Sequence, residues 1–211
     1  MQLGFCSIAA LDRSLADAAR VTAGAGLDGL EVTARSPHLE PQASLDEARR
    51  AGDAVREAGL AVIAYGSYLG HGDLRNTEAA ARQVEMASAL GAPLLRVWAG
   101  ALAEAPDHGF AETLALLRAA CDAAAARGVT VVVERHIGSF ADTPERIERL
   151  FEAVDRPGLA LNYQVLDFML PEEAAGQPDD ARRLAPLARY AHLKNYRRGE
   201  GLGERLLPGG L

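Results

Sequence analysis

Two hydrophobic patterns alternate along the chain. Short runs rich in apolar and β-branched residues are separated by longer segments with helical start and stop signals, which predicts strands alternating with helices. Such units, each about 30 residues long, call for a parallel sheet with helices packed outside it. The predicted strands are Gly4–Ile8, Gly29–Val32, Ala61–Tyr65, Leu94–Trp98, Thr130–Glu134, Leu159–Tyr163 and Tyr190–Lys194.

The segments between these strands begin and end with residues that favour helix termini. Ser44 is followed three residues later by Glu47, which is the pattern of a capping box. Thr143 stands before Pro144, a proline suited to the first helical position. Further predicted N-caps are Ser14 and Asn76, and helices are predicted to end near Gly26, Gly59, Gly91 and Gly128.

Seven predicted strands favour a (β/α)8-type TIM barrel that lacks the eighth βα unit, since a complete barrel has eight strands and usually about 250 residues. We expect one domain over residues 1–211, because no linker or shift in composition divides the chain. After Asn195 the chain is polar and rich in glycine, which predicts a loop. An open doubly wound sheet is the alternative, and it is disfavoured because no Gly-rich phosphate loop follows the first strand.

Composition narrows the range of functions. The chain has 22 Lys and Arg against 29 Asp and Glu, a net charge of -7, which disfavours a nucleic-acid partner. No apolar run reaches the roughly 18 residues of a membrane helix, and the N-terminus has no basic start typical of a signal peptide. Cys6 and Cys121 are predicted to be thiols in a strand and a helix, not a disulfide, so a cytoplasmic location is expected.

A carboxylate at the end of the most apolar strand is the first candidate for chemistry. Thr130–Glu134 is β-branched up to Glu134, and a buried carboxylate is costly unless it is paired or bound to a metal. The carboxyl ends of parallel strands are where ligands gather in such folds. The alternative is a structural ion pair of Glu134 with Arg135 or Arg96. Arg96 itself needs a partner in an apolar strand, and Glu134 or Glu31 would serve.

Several segments together carry a resemblance to a known family. They are Gly29–Val32, Tyr65–Tyr68, Arg96–Gly100, Val133–His136, Gly158–Asn162 and His192–Asn195. In order and spacing they resemble the xylose isomerase-like TIM barrels, the sugar phosphate isomerase/epimerase superfamily. The resemblance covers nearly the whole chain and implies metal-assisted proton transfer next to a carbonyl on a sugar or sugar phosphate.

The resemblance also implies a metal site at Glu134, Asn162 and His192. Members of the family hold a divalent ion with a Glu, an Asp, a His and a further Glu at the ends of strands five to eight. Asn162 stands in place of the Asp, and the second Glu has no counterpart in this sequence. Hard cations favour several charged oxygen ligands, so we expect Mn²⁺ or Mg²⁺ to bind weakly or not at all.

The same resemblance and the strand ends together suggest roles for other residues. The predicted catalytic groups are Glu134, His136 and Lys194. The alternative for Lys194 is a solvated charge at the surface. Substrate contacts are predicted for Tyr65, Trp98, Arg96 and His71. Glu31 is interpreted as structural and Cys6 as a core residue. Glu134, Asn162 and His192 are expected to converge on one pocket at the barrel mouth.

Two functions remain open from the sequence. The first is a sugar or sugar-phosphate isomerase or epimerase with a sugar-like substrate. The second is a degenerate, non-catalytic barrel that binds a small molecule or a partner subunit. Unpaired edges on the first and last strands also predict self-association or a loop folded into the gap. An abasic-site endonuclease is disfavoured, because five histidines in an acidic chain are few for a three-zinc site.

Overall fold

Seven parallel strands form one curled sheet in chain order, with a helix after each of the first six strands. The computed structural model describes residues 1–102, 106–166, 171–193, 195–197 and 204–206, and their side chains except at 106–108, 171–174, 195–197 and 204–206. The strands are β1 (Gly4–Cys6), β2 (Gly29–Thr33), β3 (Ala61–Gly66), β4 (Leu94–Val97), β5 (Thr130–Glu134), β6 (Leu159–Gln164) and β7 (Ala188–His192). The helices are α1 (Leu15–Gly24), α2 (Leu45–Glu57), α3 (Thr77–Leu90), α4 (Pro106–Ala125), α5 (Pro144–Val154) and α6 (Pro171–Leu184).

This architecture confirms the predicted TIM-barrel fold class with seven recognisable strands. Each strand from β2 to β6 pairs with the strand before it and the strand after it, all parallel. Within the described residues, β1 and β7 each pair with one strand only. The curl is nevertheless tight, because side chains of β2 and β7 meet across the inner face of the sheet.

The predicted helix starts are confirmed. The Ser44 hydroxyl accepts from the Glu47 amide, and Glu47 accepts from the Ser44 amide, which is the predicted capping box. Ser14, Asn76 and Thr143 each accept a hydrogen bond from the amide three residues later. Gly91 ends α3 with a φ of 80°, a left-handed conformation that favours glycine.

Alternate residues of each strand face opposite sides of the sheet, one packed against the helices and the other turned to the inside of the curl. Leu30 and Val32 of β2 are fully buried in the apolar core, as are Val131 and Val133 of β5. Glu31 and Val132, at the intervening positions, are fully buried too, so both faces of these strands are covered. The polar groups described below therefore lie on the inner face, and the apolar core lies between the sheet and the helices.

One prediction about the end of the chain is wrong. After Asn195 the structure contains a two-stranded antiparallel pair, β8 (Asn195–Arg197) and β9 (Glu204–Leu206), where the sequence suggested only a loop. Strands of three residues are too short to produce a clear alternation of polar and apolar positions. Among the described residues, none of the helices combines the length and apolar character that crossing a bilayer requires.

Candidate functional site

A buried guanidinium connects three strands on the inner face of the sheet. Arg96 Nε of β4 donates to Glu31 Oε1 of β2 at 3.0 Å, and Arg96 Nη1 donates to Glu134 Oε2 of β5 at 2.6 Å. All three side chains are almost completely buried. Arg96 therefore has both of the partners that the sequence suggested for it, and its positive charge balances part of the charge of the two carboxylates.

Glu31 is the most heavily bonded group of this network. Besides Arg96, its carboxylate accepts from the Tyr190 hydroxyl at 2.8 Å and from His192 Nε2 at 2.8 Å. Burial acts to raise the pKa of Glu31, but the charges of His192 and Arg96 and these hydrogen bonds lower it well below its ordinary value. The sequence interpretation of Glu31 as structural did not foresee that it joins β2 to β7.

Cys6 lies beside Glu31 at the first edge of the sheet. The two residues are paired in the register of β1 and β2, and the Cys6 sulfur lies within 4.8 Å of a Glu31 carboxylate oxygen. Burial raises the pKa of the thiol, and the negative charge of Glu31 raises it further. Both cysteines are free, as predicted.

His192 and Asn162 meet at the other side of the network. Asn162 Nδ2 lies 3.3 Å from His192 Nδ1, while His192 Nε2 faces Glu31. In this arrangement Nε2 donates to the Glu31 carboxylate, and Nδ1 lies next to the Asn162 amide. The Asn162 Oδ1 atom is buried and has no hydrogen-bond partner.

Glu134 is held by two donors. Besides Arg96, it accepts a 2.9 Å hydrogen bond at Oε1 from Gln164 Nε2, and Gln164 also donates to the Arg135 carbonyl. The Arg135 side chain turns the other way and pairs with Asp180 of α6, so it is not the partner of Glu134. Glu134 is also the register neighbour of Asn162. Glu134, Asn162 and His192 thus lie in one contiguous network, while their convergence on one pocket at the mouth stays a prediction.

Aromatic rings surround the ends of β3, β4 and β5. The Trp98 ring lies 4.4 Å from the His136 ring and 5.2 Å from the His71 ring, measured between centroids. Tyr68 stacks on Trp98 at 6.4 Å. His71 is exposed, while Trp98 and His136 are half-buried. The predicted residues Trp98, His136 and His71 therefore form one aromatic cluster at the mouth, together with Tyr68.

Tyr65 does not lie at the mouth. Its ring is fully buried and its hydroxyl donates to Gln83 Oε1 of α3 at 3.1 Å, so the side chain occupies the layer between sheet and helices. Since its contacts are with α3, we do not retain Tyr65 as a substrate-binding residue. Lys194, predicted as catalytic, lies outside the described residues.

Buried polar atoms without partners mark the same region. They are Trp98 Nε1, Asn162 Oδ1, Gln164 Oε1 and Thr33 Oγ1, and all four residues lie in or just after the carboxyl-terminal half of a strand. An unpaired buried polar group costs about 1–3 kcal/mol. A ligand with several hydroxyl groups would offer these atoms partners.

The residues that correspond to the family's metal ligands do not fit a hard divalent cation. Glu134 is the one carboxylate among Glu134, Asn162 and His192, and its charge is already partly balanced by Arg96 at 2.6 Å. His192 directs one ring nitrogen to Glu31 and the other to the Asn162 amide. Mn²⁺ and Mg²⁺ favour several oxygen ligands with uncompensated charge, which this set does not supply.

A different group of side chains has the composition of a metal site. Ligand atoms of Cys6, Glu31 and His192 all lie within 4.8 Å of one another. Sequence reasoning missed this group, as well as Gln164 and Tyr190. The latter two lie two residues from Asn162 and His192, on the same face of their strands, and that spacing was a usable signal.

Comparison with known proteins gives a consistent picture. The family described as xylose isomerase-like TIM barrel matches residues 19–210. Comparison with curated proteins gives no significant match. Among solved structures, the probable 3-DHS dehydratase AsbF involved in petrobactin synthesis from Bacillus anthracis is 22% identical, with a TM-score of 0.73, over 94% of this chain and 74% of its own.

Two further structures share the fold at similar distances. A xylose isomerase-like TIM barrel protein from Mycobacterium smegmatis, in complex with magnesium, is 17% identical with a TM-score of 0.73, over 97% of this chain and 80% of its own. The 3-keto-D-glucoside 4-epimerase YcjR from E. coli, in its apo form, is 19% identical with a TM-score of 0.69, over 95% of this chain and 82% of its own. At these identities the likeness is one of fold.

Proposed function

The chain belongs to the xylose isomerase-like TIM barrel family, and from that premise we propose that it acts on a small sugar-like molecule. The reaction is isomerisation or epimerisation by proton transfer next to a carbonyl. We place the substrate at the mouth formed by the ends of β4, β5 and β6, and we expect the protein to be cytoplasmic.

One observation carries this proposal. The Glu134 carboxylate is held by Arg96 and by Gln164, whose Oε1 is buried without a partner, and His136, two residues further on, packs against the Trp98 ring. Sugars present hydroxyl groups for such atoms and apolar C–H faces for aromatic rings. The combination supports a polyhydroxylated ligand better than an apolar or a highly charged one.

In the proposed reaction, Glu134 takes the proton from the carbon next to the substrate carbonyl. The electron pair moves toward the carbonyl oxygen and gives an enediolate. In epimerisation a proton returns to the same carbon from the other face; in isomerisation the neighbouring hydroxyl passes its proton to the former carbonyl oxygen, and a proton adds to the former carbonyl carbon. Arg96, 2.6 Å from Glu134, supplies positive charge near the developing oxyanion. His136 and Lys194 are the further proton donors of the proposal, and Trp98 and His71 contact the sugar.

Two structural neighbours support the substrate class. One is a 3-keto-D-glucoside 4-epimerase and another is a D-allulose 3-epimerase from Methylomonas sp.. A third is a probable 3-DHS dehydratase. Because Glu134, Asn162 and His192 do not fit Mn²⁺ or Mg²⁺, the proposal assigns proton transfer to side chains alone.

Exchange of substrate hydrogen with solvent tests the proposal. The protein is incubated in D₂O with a panel of aldoses, ketoses, their phosphates and keto-glycosides, and deuterium next to the carbonyl is followed by NMR. We expect incorporation with at least one sugar, reduced about 100-fold or more in Glu134→Gln, in line with loss of a general base. Glu152→Gln on the exposed face of α5 is the matched control and should retain the full rate.

The second candidate is a binding protein without turnover. The ion pair that occupies Glu134 favours it, because the carboxylate already has two donors. Binding of a sugar to the folded protein, with no deuterium incorporation for any member of the panel, would reject the enzyme and leave this alternative.

A further inference from the structure

We propose that Cys6, Glu31 and His192 bind a zinc-type divalent ion that links the two edges of the sheet. The three side chains come from β1, β2 and β7, and their ligand atoms lie within 4.8 Å of one another. The site differs from the set of Glu134, Asn162 and His192 that the family resemblance suggested. It shares only His192 with that set.

The ligand chemistry selects the metal class. A thiolate, an imidazole and a carboxylate form the mixed sulfur, nitrogen and oxygen set that suits Zn²⁺, and the thiolate disfavours Mg²⁺ or Mn²⁺. His192 Nε2 and Glu31 Oε2 are 2.8 Å apart as hydrogen-bonded partners. Two ligands about 2.0–2.1 Å from a tetrahedral zinc are about 3.3 Å apart, so the pair opens by roughly half an ångström.

The place proposed for the ion lies between these three side chains. His192 Nε2 hydrogen-bonds the Glu31 carboxylate there, and the Cys6 sulfur lies within 4.8 Å of the ligand atoms of both residues. On binding, the thiol proton leaves to solvent and sulfur bonds to the metal. Nε2 gives up its proton and bonds to the metal, and the ligating imidazole carries its hydrogen on Nδ1.

Asn162 provides the independent observation. It is fully buried, its amide lies 3.3 Å from His192 Nδ1, and its Oδ1 has no partner. When the metal takes Nε2, Nδ1 becomes a donor, and a flip of the Asn162 amide gives Oδ1 that hydrogen as its partner. A ligating histidine normally donates its second N–H to such an oxygen.

The remaining contacts of Glu31 hold the carboxylate in position. Arg96 donates to Oε1 and Tyr190 donates to Oε2, and neither needs to move. Three protein ligands leave one position of a tetrahedral ion for water. The His192 side chain, 16% exposed, provides the approach from solvent.

Cobalt titration of tag-free, chelator-treated protein tests the site, because Co²⁺ replaces Zn²⁺ and reports on sulfur. We expect one Co²⁺ per chain, with an intense thiolate-to-cobalt absorption band that Zn²⁺ abolishes. Cys6→Ser should lose the band, and Asn162→Leu should weaken affinity by about 10–100-fold. Cys121→Ser removes the other thiol, in α4, and should leave the titration unchanged.

If Cys6→Ser does not fold, X-ray absorption spectroscopy of the zinc-loaded Cys121→Ser protein tests whether Cys6 binds the metal. Cys6 is then the sole cysteine, and one sulfur at about 2.3 Å is expected. Failure to bind Co²⁺, binding without the charge-transfer band, a band that persists in folded Cys6→Ser, or a zinc shell without sulfur would each overturn the proposal.

Discussion

Arg96 and Glu134 are joined by a 2.6 Å hydrogen-bonded ion pair inside the curled sheet, where both side chains are shielded from water. The pair ties the candidate base of the proposed reaction to the framework of the barrel. Arg96 also forms an ion pair with Glu31, so the guanidinium contributes to the stability of the folded protein as well.

Removing the guanidinium should destabilise the protein strongly. Arg96→Met leaves the carboxylates of Glu31 and Glu134 buried without their cation, and we expect the free energy of unfolding to fall by about 3–5 kcal/mol. Urea unfolding followed by circular dichroism measures the change. Arg49→Met, which breaks an exposed ion pair with Asp46 on α2, should leave the free energy almost unchanged.

Stability should decrease below neutral pH because of His38. Burial lowers the pKa of His38, although its hydrogen bonds to the backbone act in the opposite direction. The unfolded chain, with an ordinary histidine pKa of about 6.5, then binds a proton more readily than the folded one. The contribution is fully present above the unfolded-state pKa and is lost as pH falls through 6.5 toward the lower pKa of the folded state.

Unfolding of the wild type and of His38→Gln at pH 8 and pH 5.5 measures this contribution. The wild type should lose more stability between the two pH values than the variant. His71→Gln, on the exposed loop after β3, is the control and should behave as the wild type does. Equal pH dependence in the wild type and His38→Gln would contradict the prediction.

The loop that carries Gly70 should be sensitive to a single methyl group. Gly70 has a φ of +91°, and a Cβ there would lie 2.2 Å from the Trp98 carbonyl oxygen. Gly70→Ala should therefore cost about 1–3 kcal/mol and shift the emission of Trp98, the single tryptophan of the chain, to longer wavelength. Gly24→Ala, at a helical position with no atom within 4 Å, should be neutral or stabilise by up to about 1 kcal/mol.

A second carboxylate should create affinity for hard cations. Asn162→Asp adds a charge beside Glu134, and we expect Mn²⁺ to bind at least about tenfold more tightly than to the wild type, since ligand charge sets affinity for such ions. Calorimetric titration of both proteins compares them. Tight stoichiometric Mn²⁺ binding to the wild type that survives Glu134→Ala would place the Mn²⁺ site elsewhere.

Local features of the fold could be predicted from the sequence, because each depends on neighbours along the chain. The strand Thr130–Glu134 has the predicted bounds, and the capping box of Ser44 and Glu47 forms as predicted. These signals come from alternation and from hydrogen bonds over three residues. The convergence of β5, β6 and β7 followed from their parallel order.

Side-chain direction was the part that could not be predicted. The sequence predicts a substrate contact for Tyr65, but the register pairs Glu31 with Ala64, which places Tyr65 on the opposite face of β3. The pairing of β2 with β3 shifts by one residue between Leu30 and Glu31, so the partner of each residue cannot be found by counting from the first pair. The central role of Glu31 depends on the curvature that brings it to His192, and curvature leaves no pattern in the sequence.

The contact between Glu31 and His192 also has a consequence for biosynthesis. These residues are 161 positions apart, so at about 5–20 residues per second Glu31 leaves the ribosome on the order of ten seconds before its partner is made. During that delay the carboxylate sits uncovered in an otherwise apolar strand, where a charge acts as a gatekeeper against association of nascent chains. The residue that links β2 to β7 in the finished sheet thus also protects the unfinished one.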